Sequence, residues 1–311
     1  MQDNSTNVNG ERPISWTGTE IFLSVFLAWL FCPAAAFAIL KGLGVENWYY
    51  GDDTPETARR LGLWVGTLAA PFQVLTYPLV LSAFRRTTWD QLGLTTRRFG
   101  RNVLAGIAVL PLLAPVVFGL WQLIRWLYGV PGEKIIEQHD LEKIAPYLYP
   151  FEWVMLFFTA IIGAPVHEEL TFRGVLQPWF ASRRWGGHAA MLGALLLALS
   201  FRSERLRDAW PEGMASLTEA AAPALFVLAL VPLYIVVWLA SRTPIAPAIF
   251  GTSLLFACIH SSVWPTPIPL FVLALGLGAL AHSTRSLVGP IVMHGLFNGF
   301  SCVLLLWETK H

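Results

Sequence analysis

Ala164-Pro-Val-His-Glu-Glu-Leu-Thr-Phe-Arg-Gly-Val-Leu-Gln177 places two adjacent carboxylates and a guanidinium inside a run that is otherwise apolar. On insertion scales an ionisable side chain at the centre of a membrane costs roughly 2.5–3.5 kcal/mol, so such a cluster marks a functional site or a buried ion pair. Helical spacing sorts the cluster. Glu169 and Arg173 stand at i and i+4 with the acid first, the favourable order for a pair on one face. Glu168 is turned about 100° away from Glu169 and has no partner at that spacing. One carboxylate is tied and the other is left for a different task.

The surrounding composition supports a membrane setting. The 311 residues are 55% hydrophobic and 13% charged, with 14 Trp and 20 Phe, which excludes an ordinary soluble domain. A formal net charge of +1 gives no basic surface for nucleic acid. Cys32, Cys258 and Cys302 lie in apolar runs without metal-like spacing and read as packing residues.

Apolar stretches long enough to span run from Ile21 to Leu40, Leu61 to Phe84, Val103 to Leu127 and Phe151 to about Phe180, the last holding the acidic motif. Pro165 and Pro178 bracket that motif and predict kinks whose freed carbonyls need neighbouring donors. A shorter run, His188 to Phe201, is followed by a polar stretch, Arg202 to Glu219, and then by Ala221 to Ala240. Ile245 to His260, Pro267 to Ala281 and Leu287 to Trp307 complete the series. The fold expected is an all-α polytopic transmembrane bundle of about seven to nine membrane helices. It divides into a polar tail over 1–18, N-terminal membrane helices over 19–149 and a core over 150–311, with an inserted apolar helical segment at about 186–243. Lys and Arg divide evenly between the two sides, so the dense arginine block at Arg85, Arg86, Arg97, Arg98 and Arg101 decides orientation. It places the N-terminus and the Arg183–Arg184 loop in the cytoplasm.

Two further polar patterns stand out where acids are lacking. His294 and Asn298 share a helical face at i and i+4, and His260 lies one turn beyond Phe256. A single membrane histidine is usually an interhelical hydrogen-bonding residue. Two of them, with an asparagine and a free carboxylate, supply a base, a water-orienting partner and hydrogen-bond donors, the requirements of amide hydrolysis by activated water.

Glu168-Glu-Leu-Thr-Phe-Arg173, Phe256-Ala-Cys-Ile-His260 and His294-Gly-Leu-Phe-Asn298 resemble the three signature motifs of the CAAX protease and bacteriocin-processing family of intramembrane endopeptidases, which includes the type II CAAX prenyl endopeptidases. The segment from His282 to His294 resembles the family's lead into its last motif, and the likeness covers roughly residues 150 to 311. It implies a glutamate-activated water at Glu168, assisted by His260, with His294 and Asn298 stabilising the oxyanion. Glu169 and Arg173 would hold the motif helix, with Phe256 as a further structural residue. The substrate implied is a peptide or membrane-protein segment in the lipid bilayer, reached from the cytoplasmic side. No cofactor is favoured. Zinc is the alternative, with Glu168, His260 and His294 as its ligands.

Two departures qualify the likeness. The separation of the first two motifs implies an insertion that crosses the membrane an even number of times. His167 evokes the zinc motif His-Glu-x-x-His, but residue 171 is Thr, so the ligand pair at i and i+4 is missing and His167 reads as a lining residue. His188 and His282 are expected near helix ends. The competing readings are a non-catalytic immunity or scaffolding protein of the same fold and a proton-coupled transporter using Glu168 and the histidines as a relay. Internal inverted symmetry, which would favour transport, is not evident.

Overall fold

The computed structural model describes residues 14–45, 55–128 and 143–309. Residues 1–13 of the expected polar tail, Arg12 among them, lie outside the described residues. Among the described residues the chain is helical, with no strand, and seven helices are long and apolar enough to cross a membrane. These are α1 (Gly18–Gly42), α2 (Pro55–Arg85), α3 (Phe99–Tyr128) and α4 (Pro150–Ala181), then α6 (Ala222–Ala240), α8 (Pro267–Thr284) and α9 (Val288–Glu308). Two shorter apolar helices, α5 (Gly186–Ser200) and α7 (Ile245–Cys258), complete the bundle.

The outward face of the bundle is what a lipid solvent selects. Phe22, Leu112, Trp126, Val154 and Leu239 all project away from the protein. With no water to solvate peptide groups, helices that satisfy their own backbone are the structures this composition can form.

The stretch expected as an insertion folds as two antiparallel helices, α5 and α6. Gly187 faces Pro247 and Gly193 faces Leu255, so α5 and α7 run parallel. Between them α6 returns in the opposite sense, with Phe226 6.4 Å from the Trp264 ring and the Tyr234 hydroxyl 2.8 Å from His188 Nδ1. The polar stretch from Arg202, folded as two short helices over Ser203–Ala209 and Met214–Ala220, therefore lies at the end of the bundle opposite Arg183 and Arg242. His188 and His282 sit near the ends of α5 and α8 as their positions predict.

Ion pairs, one of them buried, stitch the N-terminal helices together at the two ends. Arg60 Nη2 meets Glu152 Oε2 at 2.7 Å, joining the starts of α2 and α4. Arg85 meets Glu20 at 2.7 Å, joining the end of α2 to the start of α1.

The motif helix α4 departs from α geometry twice, at Thr159–Gly163 and Leu170–Leu176, which are wound as π-helix. Each stretch ends two residues before a proline that the sequence flagged, Pro165 or Pro178. A π turn directs the N–H of residue i+5 to the carbonyl of residue i, and for Ala160 that residue is Pro165, which has no N–H. Asn298 Nδ2 supplies the missing donor to the Ala160 carbonyl at 2.9 Å.

Candidate active site

The site forms where α4, α7 and α9 meet. Glu169 is fully buried and accepts from two sides: Arg173 Nη1 at 2.9 Å, one turn along its own helix, and His294 Nδ1 at 2.9 Å, from α9. Arg173 Nη2 also donates to the Ala274 carbonyl of α8 at 3.1 Å, and its guanidinium stacks 4.6 Å above the Phe256 ring. A buried guanidinium keeps its charge at tolerable cost only when paired and hydrogen-bonded, and both conditions are met.

Glu168 is the carboxylate left over. Its side chain retains 15% exposure against 0% for Glu169, and among the described residues it makes no direct hydrogen bond. It faces His294, with Oε2 3.9 Å from Nε2, a separation at which a water can bridge.

The ring nitrogens of the two histidines are assigned by their partners. A carboxylate only accepts, so the 2.9 Å contact makes His294 Nδ1 the protonated nitrogen, and in the neutral ring Nε2 is left as the acceptor facing Glu168. His260 follows the same rule, with Nδ1 3.0 Å from the Phe256 carbonyl. Phe256 lies between the two imidazoles, with ring centroids 5.4 Å from His260 and 5.7 Å from His294. The three signature motifs thus converge on one cluster, with Phe256 as its apolar hub. His260 lies just beyond the end of α7 remote from Arg242, toward the Arg202 end of the bundle.

Asn298 also joins α9 to α4. One N–H of its amide is committed to the Ala160 carbonyl, which leaves a single N–H for any other acceptor. The tight approach of α9 to α4 also explains the glycine in His294-Gly-Leu-Phe-Asn298: a Cβ on Gly295 would stand 2.5 Å from the Ile161 carbonyl oxygen.

Sequence reasoning missed the support behind α4. Trp29 Nε1 donates to the Tyr77 hydroxyl at 3.0 Å, Tyr77 and Thr171 share a hydrogen bond of 2.7 Å, and Thr171 donates to the His167 carbonyl at 2.8 Å. His167 packs against the Trp29 ring at 4.7 Å, on the side of the helix held by these residues of α1 and α2. Polar residues in otherwise apolar helices were the only trace of this network. Among the described residues no three His, Cys, Asp or Glu side chains are grouped to hold a metal ion.

The fold and this cluster define a class: a polytopic helical membrane protein with carboxylates and histidines gathered between its spans. Residues 150–250 and 229–300 match the family model described as type II CAAX prenyl endopeptidase Rce1-like. The match spans residues 150–300, just under half of the chain, and over that stretch the chain is similar to the Rce1-like type II CAAX prenyl endopeptidase family, a likeness that supports a membrane protease. Comparison with curated proteins and with solved structures finds no match.

Proposed function

We propose that the chain is an intramembrane endopeptidase in which Glu168 activates the attacking water. The observation that carries the reading is the division between the two adjacent glutamates. Glu169 is fully buried and held by Arg173 and His294, whereas Glu168 is partly open, unbonded and 3.9 Å from a histidine nitrogen. A base must have room for the water it deprotonates.

In this mechanism a water held between Glu168 and His294 Nε2 gives a proton to the Glu168 carboxylate as its oxygen bonds to the peptide carbonyl carbon. The resulting oxyanion takes the remaining N–H of Asn298. His294, held by Glu169 through its Nδ1–H, keeps Nε2 as the acceptor that positions the water. Glu168 then returns its proton to the leaving amine nitrogen as the C–N bond breaks. His260, oriented by the Phe256 carbonyl, assists from the neighbouring helix. No step is assigned to a metal.

The deciding experiment compares membrane proteomes from cells carrying wild-type protein and Glu168→Gln. Peptide termini produced only with wild-type protein are expected, and the same cleavage should be reproduced by purified enzyme. Identical terminus profiles would remove the peptidase reading.

A further inference from the structure

Among the described residues Glu168 makes no direct hydrogen bond, so its carboxylate stands where the helix that carries it puts it. That helix is a short α stretch, Ala164–Glu169, set between two π stretches. Within it successive side chains are turned by about 100°, so His167 and Glu169 point to nearly opposite sides and Glu168 projects between them. One side is held at Glu169, by Arg173 and by His294 of α9. The other is held at His167 and Thr171, by Trp29 of α1 and Tyr77 of α2.

The second clamp is a hydrogen-bonded chain whose direction is fixed at both ends, because an indole N–H only donates and a carbonyl only accepts. Trp29 Nε1 donates to the Tyr77 hydroxyl oxygen at 3.0 Å, Tyr77 donates to Thr171 Oγ1 at 2.7 Å, and Thr171 gives its one hydroxyl proton to the His167 carbonyl at 2.8 Å. Trp29 Nε1 also reaches Thr171 Oγ1 at 3.3 Å. Tyr77 and Thr171 are buried, so the chain is shielded from competing water. The Trp29 ring covers the His167 imidazole at 4.7 Å, with the Tyr77 ring 6.0 Å from it. Trp29 itself lies in a π stretch of α1, Leu27–Phe31, a geometry that is rare and concentrated at functional sites.

We propose that Thr171, Tyr77 and Trp29 are positioning residues that set the rotation of α4 and with it the place of the Glu168 carboxylate opposite His294. They act through the helix and not on the reacting atoms, and the inference rests on the reading of Glu168 as the base. Side chains reach about 5–6 Å from a helix axis, so a twist of ~10° moves the carboxylate by about 1 Å. Glu168 Oε2 stands 3.9 Å from His294 Nε2, and a shift of about 1 Å toward it would leave no space for a bridging water. A misplacement of that size costs up to ~10²-fold in rate.

The test compares purified full-length Thr171→Val, Thr171→Ser, Tyr77→Phe and Glu168→Gln with wild-type protein, on a peptide identified by the terminus comparison and well below every unfolding midpoint. In Thr171→Val kcat should fall about tenfold or more while KM stays within about twofold, the signature of lost transition-state geometry and not of lost binding. Tyr77→Phe leaves Trp29 able to donate to Thr171, so its loss should be smaller. Thr171→Ser keeps the hydroxyl and should bring kcat back near the wild-type value. A purely structural role would lower the unfolding midpoint of Thr171→Val and leave kcat of the folded protein unchanged. A second measurement is independent of turnover: Glu168→Cys, in a chain whose three native cysteines are replaced by alanine, is modified by a small thiol reagent with and without Thr171→Val. The rate at position 168 should change, and the rate at a Ser203→Cys control should not. Turnover retained in Glu168→Gln would remove Glu168 as the base, and the labelling alone would then decide whether the network places that side chain. An unchanged labelling rate, or an unchanged kcat in Thr171→Val when Glu168→Gln is inactive, would overturn the inference.

Discussion

His294 Nδ1 lies 2.9 Å from Glu169 Oε1, so the carboxylate that neutralises Arg173 is also the one that fixes the tautomer of the histidine beside Glu168. One buried acid sets both the position of a helix and the face its neighbour presents to the site.

Removing Arg173 should therefore be costly twice over. Arg173→Ala leaves Glu169 buried without its cation, a loss of ~3–5 kcal/mol when a buried pair is broken. The double variant Glu169→Ala/Arg173→Ala should lose less than the sum of the single changes. A double-mutant cycle on thermal stability measures this, and a coupling near zero would take the pair out of the account.

Glu168→Gln should separate chemistry from folding. The residue makes no direct hydrogen bond, so the unfolding midpoint should stay near the wild-type value while peptide cleavage falls below one hundredth of its rate. Retained turnover in a well-folded variant would mean that another group is the base.

Asn298→Ala should reduce both quantities. The Ala160 carbonyl loses its donor, worth ~1–3 kcal/mol for a buried acceptor, and an oxyanion donor is lost, worth ~10²–10³-fold in turnover. Stability and single-turnover rates measured together divide the effects. A stability loss at unchanged turnover would assign Asn298 to the helix junction alone.

Gly295→Ala and Gly299→Ala are a matched test of the α4–α9 contact. The added methyl at 295 meets a backbone oxygen at 2.5 Å, whereas at 299 it meets the flexible Ile161 Cδ1 at 3.3 Å. Overpacking should cost ~1–3 kcal/mol at the first position and far less at the second. Equal thermal shifts would contradict this packing.

Metal dependence has a direct readout. Under the proposed mechanism, chelation should leave cleavage by the purified enzyme unchanged, with no stoichiometric zinc by elemental analysis. Zinc at one per chain with activity lost to chelator and restored by add-back would turn Glu168, His260 and His294 into candidate ligands.

The membrane bundle was legible because span length is set by bilayer thickness, and helices from α2 to α9 begin and end within a few residues of their apolar runs. The Glu169–Arg173 pair was legible because it lies within one helix, where spacing fixes contact. The bond from His294 to Glu169 was not, since periodicity says nothing about which faces of separate helices meet. Asn298 was found as a site residue, but its backbone partner is invisible to any pattern of side chains. Pro165 and Pro178 announced irregularity in α4 without saying that the helix would widen into π turns. Tyr77 and Trp29 come from a region without a motif and were missed for that reason.

The π turns make the site a matter of residue count as well as residue type. Each packs one extra residue into a turn, so deleting a single residue from Thr159–Gly163 would let that stretch relax to an ordinary helix. Everything before it would then be rotated by about 100° relative to Glu168 and Glu169. Such a deletion would keep every signature residue and every apolar span, and still disconnect Asn298 from α4.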